Sequence, residues 1–175
     1  MQFEILPAVG EEIITQTEPV EVVKELAAQK AEEIEKKTEG SRLIIGADTI
    51  VVYDGQILGK PKDEADAVRM LTMLQGNTHS VYTGVCLIRT QGDERQRVTF
   101  AEETSVVFAP MTEQEIRFYV GTKDPMDKAG SYGIQGMAAA YIEGISGDYN
   151  NVVGLPIGRI YQEIKKRGWM ENEPL

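Results

Sequence analysis

At 175 residues, with 42% hydrophobic and 26% charged side chains, the chain has the makeup of a soluble globular protein of one domain. Its net charge of −10 argues against a surface for nucleic acid or for an anionic membrane. A small phosphorylated ligand stays open, provided local lysines or a bound cation counter the overall field. The single cysteine, Cys86, lies in an apolar run, so it reads as a buried thiol in a reducing compartment, with no disulfide framework. Met1–Gly10 lacks the basic start and long apolar stretch of a signal peptide, and no run is long enough to span a bilayer. The expected location is therefore the cytoplasm.

Phe3–Leu6 reads as a strand and Gly10-Glu11-Glu12 as an acidic turn. Thr17 is placed to cap a helix with Pro19 in its first turn, running to about Thr38 before Gly40. Its apolar stripe is Val20, Val23, Ala27, Ala31 and Ile34. At about 100° per residue, Lys30 falls inside that stripe. A lysine there either snorkels past the apolar surface or carries its ammonium to a phosphate pocket at the helix edge.

Arg42–Pro61 is the most informative stretch. Leu43-Ile44-Ile45 stops at Gly46-Ala47, presents Asp48 and Thr49, and resumes as Ile50–Tyr53. Asp54-Gly55 between β-branched and apolar residues predicts a two-residue hairpin turn. The returning strand, Gln56–Leu58, delivers Gly59-Lys60-Pro61. A carboxylate inside a buried strand is expensive unless it is paired, hydrogen-bonded or holding a cation. Asp48 and Lys60 are thus either a turn cap and a solvated lysine, or a pair that handles metal and phosphate.

Asp63 caps the next helix, with Ala67, Met70, Leu71 and Leu74 as its buried stripe and Gly76 as its end. Val81–Ile88, apolar on both faces, predicts a central strand. The lone His79 reads as a surface or turn residue, because there is no second histidine to build a metal site. Thr90–Arg97 reads as a polar loop and Val98–Phe108 as a strand. Thr112 and Glu115 form a capping box for a helix ending at Gly121. Asp124–Gly136 is a long glycine-rich stretch of the kind that carries function. Met137–Ile142 reads as a strand and Gly147–Asn151 as a second polar loop. Pro156 opens the last helix, with Ile157, Ile160, Tyr161 and Ile164 inward. Strands and helices alternate, which predicts one α/β domain.

Several segments together resemble the Maf family of nucleoside triphosphate pyrophosphatases. They are Leu26–Ala31, Ile45–Thr49, Leu58–Pro61, Leu74–His79, Asp127–Gly130, Tyr132–Gly136, and Gly147–Tyr149 leading to Gly154–Pro156. The match runs in order through nearly the whole chain. It implies an elongated mixed β-sheet flanked by helices, shared with the inosine triphosphatases, and a homodimer working with a divalent metal, Mg or Mn. On that resemblance Asp48 is the catalytic proton acceptor, and Lys30, Lys60 and Glu11 match functional lysines and a carboxylate. Asp48 with Glu11 would hold the metal. Thr49 and Gln135 match positions linked to substrate choice, and Ala47-Asp48-Thr49 with Ile134-Gln135-Gly136 looks like the branch acting on dTTP and UTP. Modified pyrimidine triphosphates are a further possible target. The family's N-terminal strand, its Ser-rich loop with paired arginine, and the helix after it have no counterpart here. That departure keeps a rival expectation open: a non-catalytic nucleotide-binding protein in cell-division or septum control.

Overall fold

Helix α1 spans Pro19–Glu35, and its inward face is made mostly of small or β-branched residues: Val22, Val23, Leu26, Ala27, Ala28 and Ala31 are all buried. The computed structural model describes residues 3–169. The helix begins after Glu18 without a side-chain cap, so Thr17 is not its cap, and Val20 lies exposed at its edge. Strand β1 is Arg42–Tyr53. Asp54 and Gly55, both with positive φ, turn it into β2, Gln56–Leu58. Helix α2 (Glu64–Leu74) is capped by the Asp63 carboxylate, which accepts from the Asp66 N–H at 2.8 Å, and buries the four expected residues.

β3 (Thr78–Gln91) and β4 (Glu94–Phe108) form one long hairpin around Gly92-Asp93. The polar loop expected over Thr90–Arg97 is therefore strand instead. Ladder pairing satisfies the backbone there, while Arg95 and Arg97 reach Glu35 and Glu32 of α1 at 2.6 and 2.5 Å. Helix α3 (Glu113–Gly121) carries the predicted capping box. Three short 3-10 turns follow, at Asp124–Asp127, Ala129–Ser131 and Met137–Tyr141. The last of these replaces the strand expected over Met137–Ile142: its alanines have little β preference, and Ala138 packs into the core. Strand β5 (Ile142–Ser146) starts only at Ile142. Residues expected as a second loop form a short helix α4, Tyr149–Val153, capped by Asp148. Helix α5 is Ile157–Lys166, with Ile160 and Ile164 buried but Ile157 exposed.

The sheet order is β2-β1-β3-β4-β5, with β3 in the centre as its apolar run predicts. The expected mixed sheet is antiparallel in all four of these pairings, because β1–β2 and β3–β4 are hairpins and α2 returns the chain against β1. Phe3–Leu6 joins no ladder among the described residues and is exposed, so the strand expected there does not form; its apolar spacing has no neighbouring strand to pair with. Met1 and Gln2 lie outside the described residues. Among the described residues no helix is long and apolar enough to cross a membrane.

Among the described residues α1 covers one sheet face alone; α2, α3, α4, α5 and the 3-10 turns cover the other. Two glycines on neighbouring strands, Gly46 and Gly84, lie under α1. A Cβ on Gly46 would sit 2.5 Å from the Ala27 carbonyl oxygen, and one on Gly84 would collide with the Val23 carbonyl. These are backbone atoms of a packed helix and cannot swing aside. Gly84→Ala should thus lift α1 and destabilise the fold by about 1–3 kcal/mol, in the range of core overpacking. Urea denaturation checks this, and a loss under about 0.5 kcal/mol, ordinary for a surface change, would show that α1 tolerates the added methyl.

Candidate active site

Strand alternation places Asp48 and Thr49 on opposite faces of β1. Asp48 points toward α1, where the Lys30 ammonium forms a close ion pair with its Oδ1. The same ammonium lies 3.1 Å from Glu12 Oε1. One lysine thus sits between two carboxylates. Only 13% of the Asp48 side chain is exposed, against 29% for Lys30. Burial raises the Asp48 carboxyl above its ordinary range, and the pull of Lys30 and Lys60 does not cancel it. For Lys30, burial acts downward, but the hydrogen bonds it donates to Asp48 and Glu12, with the attraction of their charges, outweigh it and hold the ammonium charged.

These groups line a cavity of about 690 Å³, which also takes in Thr49, Lys60, Asp127, Lys128 and Gln135. That volume falls within the range of small-molecule sites. The cavity opens where β1 has no partner on one side among the described residues, since β2 pairs only with Val51–Tyr53. Lys60 follows β2, and the glycine-rich stretch is tied beside it by the Gly130 N–H donating to the Gly59 carbonyl at 3.1 Å. Lys128 donates to Asp127 Oδ1 at 2.8 Å and to the Asp124 carbonyl at 2.6 Å.

The family model described as Maf-like protein matches residues 1–167. The chain belongs to the Maf family. It is 54% identical to the dTTP/UTP pyrophosphatase of Agathobacter rectalis, over 95% of this chain and 88% of that one. It is 50% identical to the protein of the same name from Bacillus cytotoxicus, over 94% of this chain and 84% of the relative. With that of Symbiobacterium thermophilum it shares 49% identity, over 94% of this chain and 82% of the relative.

The cavity gathers Lys30, Asp48, Thr49, Lys60 and Gln135, five of the six residues singled out from the sequence. Glu11 is the exception. It lines a smaller adjoining cavity with Glu33 and Lys36, while its neighbour Glu12 faces Lys30. In an extended segment adjacent side chains point apart, so only one of the two can turn inward. Sequence reading also passed over Lys128, although its place beside Asp127 in the glycine-rich stretch was a usable signal. His79 is no surface residue: it is 3% exposed, its Nε2 lies 2.7 Å from the Tyr132 hydroxyl, and burial lowers its pKa to about 4.

Glu12 is held in place by a strap without regular structure. Three α1 side chains, four residues apart, bind its backbone. Glu25 accepts from the Thr15 N–H at 2.9 Å, Gln29 accepts from the Ile13 N–H at 3.0 Å, and Glu33 accepts from those of Val9 and Gly10 at 3.0 Å each. Four helical residues rise about 6 Å, close to the length of two extended residues, so helix and strap stay in step between Glu25 and Gln29. The Lys37 ammonium and the two strap amides lower the Glu33 pKa from 4.5 to about 2. A carboxylate whose folded pKa is depressed stabilises the fold above its unfolded value and loses that effect as pH falls through the folded one. Strap docking at Val9 and Gly10 should hence weaken between about pH 4.5 and 2, and in Glu33→Gln at neutral pH. Amide exchange checks this: protection at those two residues should drop before that of β3, and loss of both together would contradict it.

Proposed function

We propose that this protein hydrolyses dTTP and UTP to the nucleoside monophosphate and pyrophosphate. The observation that carries the reading is Asp48, a carboxylate raised by burial, held against Lys30 in a nucleotide-sized cavity that also contains Lys60 and Lys128. The names of the Maf relatives from Agathobacter and Bacillus support the same substrates. In this reaction a water oxygen bonds to the α-phosphorus, the bridging bond to the β-phosphate breaks, and pyrophosphate leaves. Asp48 accepts the proton that the attacking water loses. Lys30, Lys60 and Lys128 take up charge on the phosphates, which a protein of net charge −10 would otherwise repel.

Among the described residues, no group of three His, Cys, Asp or Glu side chains gathers as a metal site. Two carboxylates meeting on one cation, Asp48 and Glu12 on Lys30, are nevertheless a hard-oxygen pair that suits Mg or Mn completed by water and substrate phosphate. Bound there, a divalent cation would neutralise phosphate charge and acidify water. Gln135 offers a donor and an acceptor to a pyrimidine edge. The wider expectation is a cytoplasmic homodimer. The non-catalytic reading is not favoured, because Asp48, Lys30 and Lys60 all line the cavity and the similar proteins carry the name of an enzyme.

Asp48→Asn keeps the shape of the side chain and removes its basicity. Pyrophosphate release from UTP should fall by about 10²–10⁴-fold, the usual worth of a positioned base, with an unchanged thermal transition. A folded variant keeping more than about a tenth of the rate would exclude Asp48 as the base. Chelation of divalent cations should abolish turnover of the wild-type protein, and added Mg should restore it.

A further inference from the structure

Thr49 faces away from the Lys30 and Asp48 cluster, toward Thr83, its ladder partner on β3. The two hydroxyl oxygens are 2.8 Å apart. Thr83 is fully buried, and its hydroxyl donates to the Asn151 backbone carbonyl at 3.0 Å. A hydroxyl has a single hydrogen to give. A carbonyl can only accept, so the Thr83 hydrogen is committed to Asn151. Were it not, two oxygens would face each other 3.0 Å apart with no proton between them. The hydrogen in the Thr49–Thr83 bond must therefore come from Thr49. What remains of the Thr49 hydroxyl on the cavity side is lone pairs.

We infer that Thr83 is a specificity-determining positioning residue, which fixes Thr49 as a hydrogen-bond acceptor and so selects a base edge that donates, the imide N–H of uracil or thymine. This rests on the pyrimidine triphosphate site proposed above. Thr49 lies on the sheet face away from Lys30 and Asp48, beside Val153 and Gly154, which suits the uncharged base better than the phosphates. Cytosine presents a lone pair at its ring N3 and would meet Thr49 acceptor to acceptor. Gln135 cannot make this distinction, because its exposed amide can rotate to suit either edge. Thr49 cannot rotate its choice away while Thr83 holds its hydrogen.

Thr83→Val is the direct test. The Asn151 carbonyl keeps a second donor, the Gly154 N–H at 3.0 Å, so the substitution leaves no acceptor stranded. It frees the Thr49 hydrogen to turn into the cavity. The preference for UTP over CTP, measured as the ratio of kcat/KM and as the ratio of Kd for their α,β-methylene analogues, should fall at least about tenfold. Thr83→Ser keeps the hydroxyl and should restore the ratio, which a merely structural role would leave unmoved throughout. A folded Thr83→Val with the wild-type ratio in both measurements overturns the inference. A wild-type protein that binds the UTP analogue selectively but releases no pyrophosphate overturns the proposed reaction and leaves the inference standing. A probe that needs no variant is 3-deazauridine 5′-triphosphate, in which C–H replaces the imide N–H, assayed at mildly acidic pH where its ring is neutral. The wild-type protein should use it at least about tenfold less efficiently than UTP, and equal efficiency sinks the assignment whether or not Thr83→Val folds.

Discussion

The closeness of α1 to the sheet is the constraint from which the site follows. Lys30 can reach Asp48 because Gly46 and Gly84 leave no Cβ between helix and strands, and because Ala27, Ala28 and Ala31 keep the helix face shallow. At that separation the ion pair is shielded from water on the sheet side and open on the cavity side. Desolvation then raises Asp48 while Lys30 stays charged, which is the poise that the proposed role of Asp48 as proton acceptor requires. A helix held further out would leave a solvated lysine and an ordinary carboxylate.

β1 sorts the chemistry by strand parity. Even-numbered residues look toward α1 and the strap, which gives Asp48 its two charged neighbours. Odd-numbered ones look toward the layer on the other face, which gives Thr49 the Thr83 hydroxyl and, behind it, the Asn151 carbonyl. Since β1 is unpaired on one side before Val51 among the described residues, a ligand can reach both faces from a single opening. Two adjacent residues thus offer a charged and an uncharged surrounding, which is what the proposed reading asks for the two ends of a nucleotide.

Much of this could be read from the chain because the signals are local. The Asp54-Gly55 turn, the Asp63 cap and the Thr112–Glu115 capping box each depend on a few neighbouring residues, and each forms as expected. The inward Lys30 was also legible, since helical period alone puts it among alanines. The misreadings concern partners distant in sequence. Phe3–Leu6 has the spacing of a strand but no ladder among the described residues, and Thr90–Arg97 has the polarity of a loop but a long partner strand and two α1 glutamates to answer it. That Glu12 rather than Glu11 meets Lys30 depends on which side of the strap faces the helix. His79 looked solvent-bound because nothing nearby in the chain announces Tyr132, fifty-three residues on.

The two glycines under α1 also decide where this scaffold can change length. Gly46 pairs with Cys86, and Gly84 with Asp48, so both glycines stay under the helix only while β1 and β3 keep that register. An inserted residue in the middle of either strand would swing side chains into the helix and invert the parity that separates Asp48 from Thr49. At the far end of the β3–β4 hairpin the situation is different. Residues added in pairs around Gly92-Asp93 extend the ribbon past α1 without moving any rung beneath it. Growth and trimming are therefore tolerated at that tip, whereas the middle of β1 admits neither.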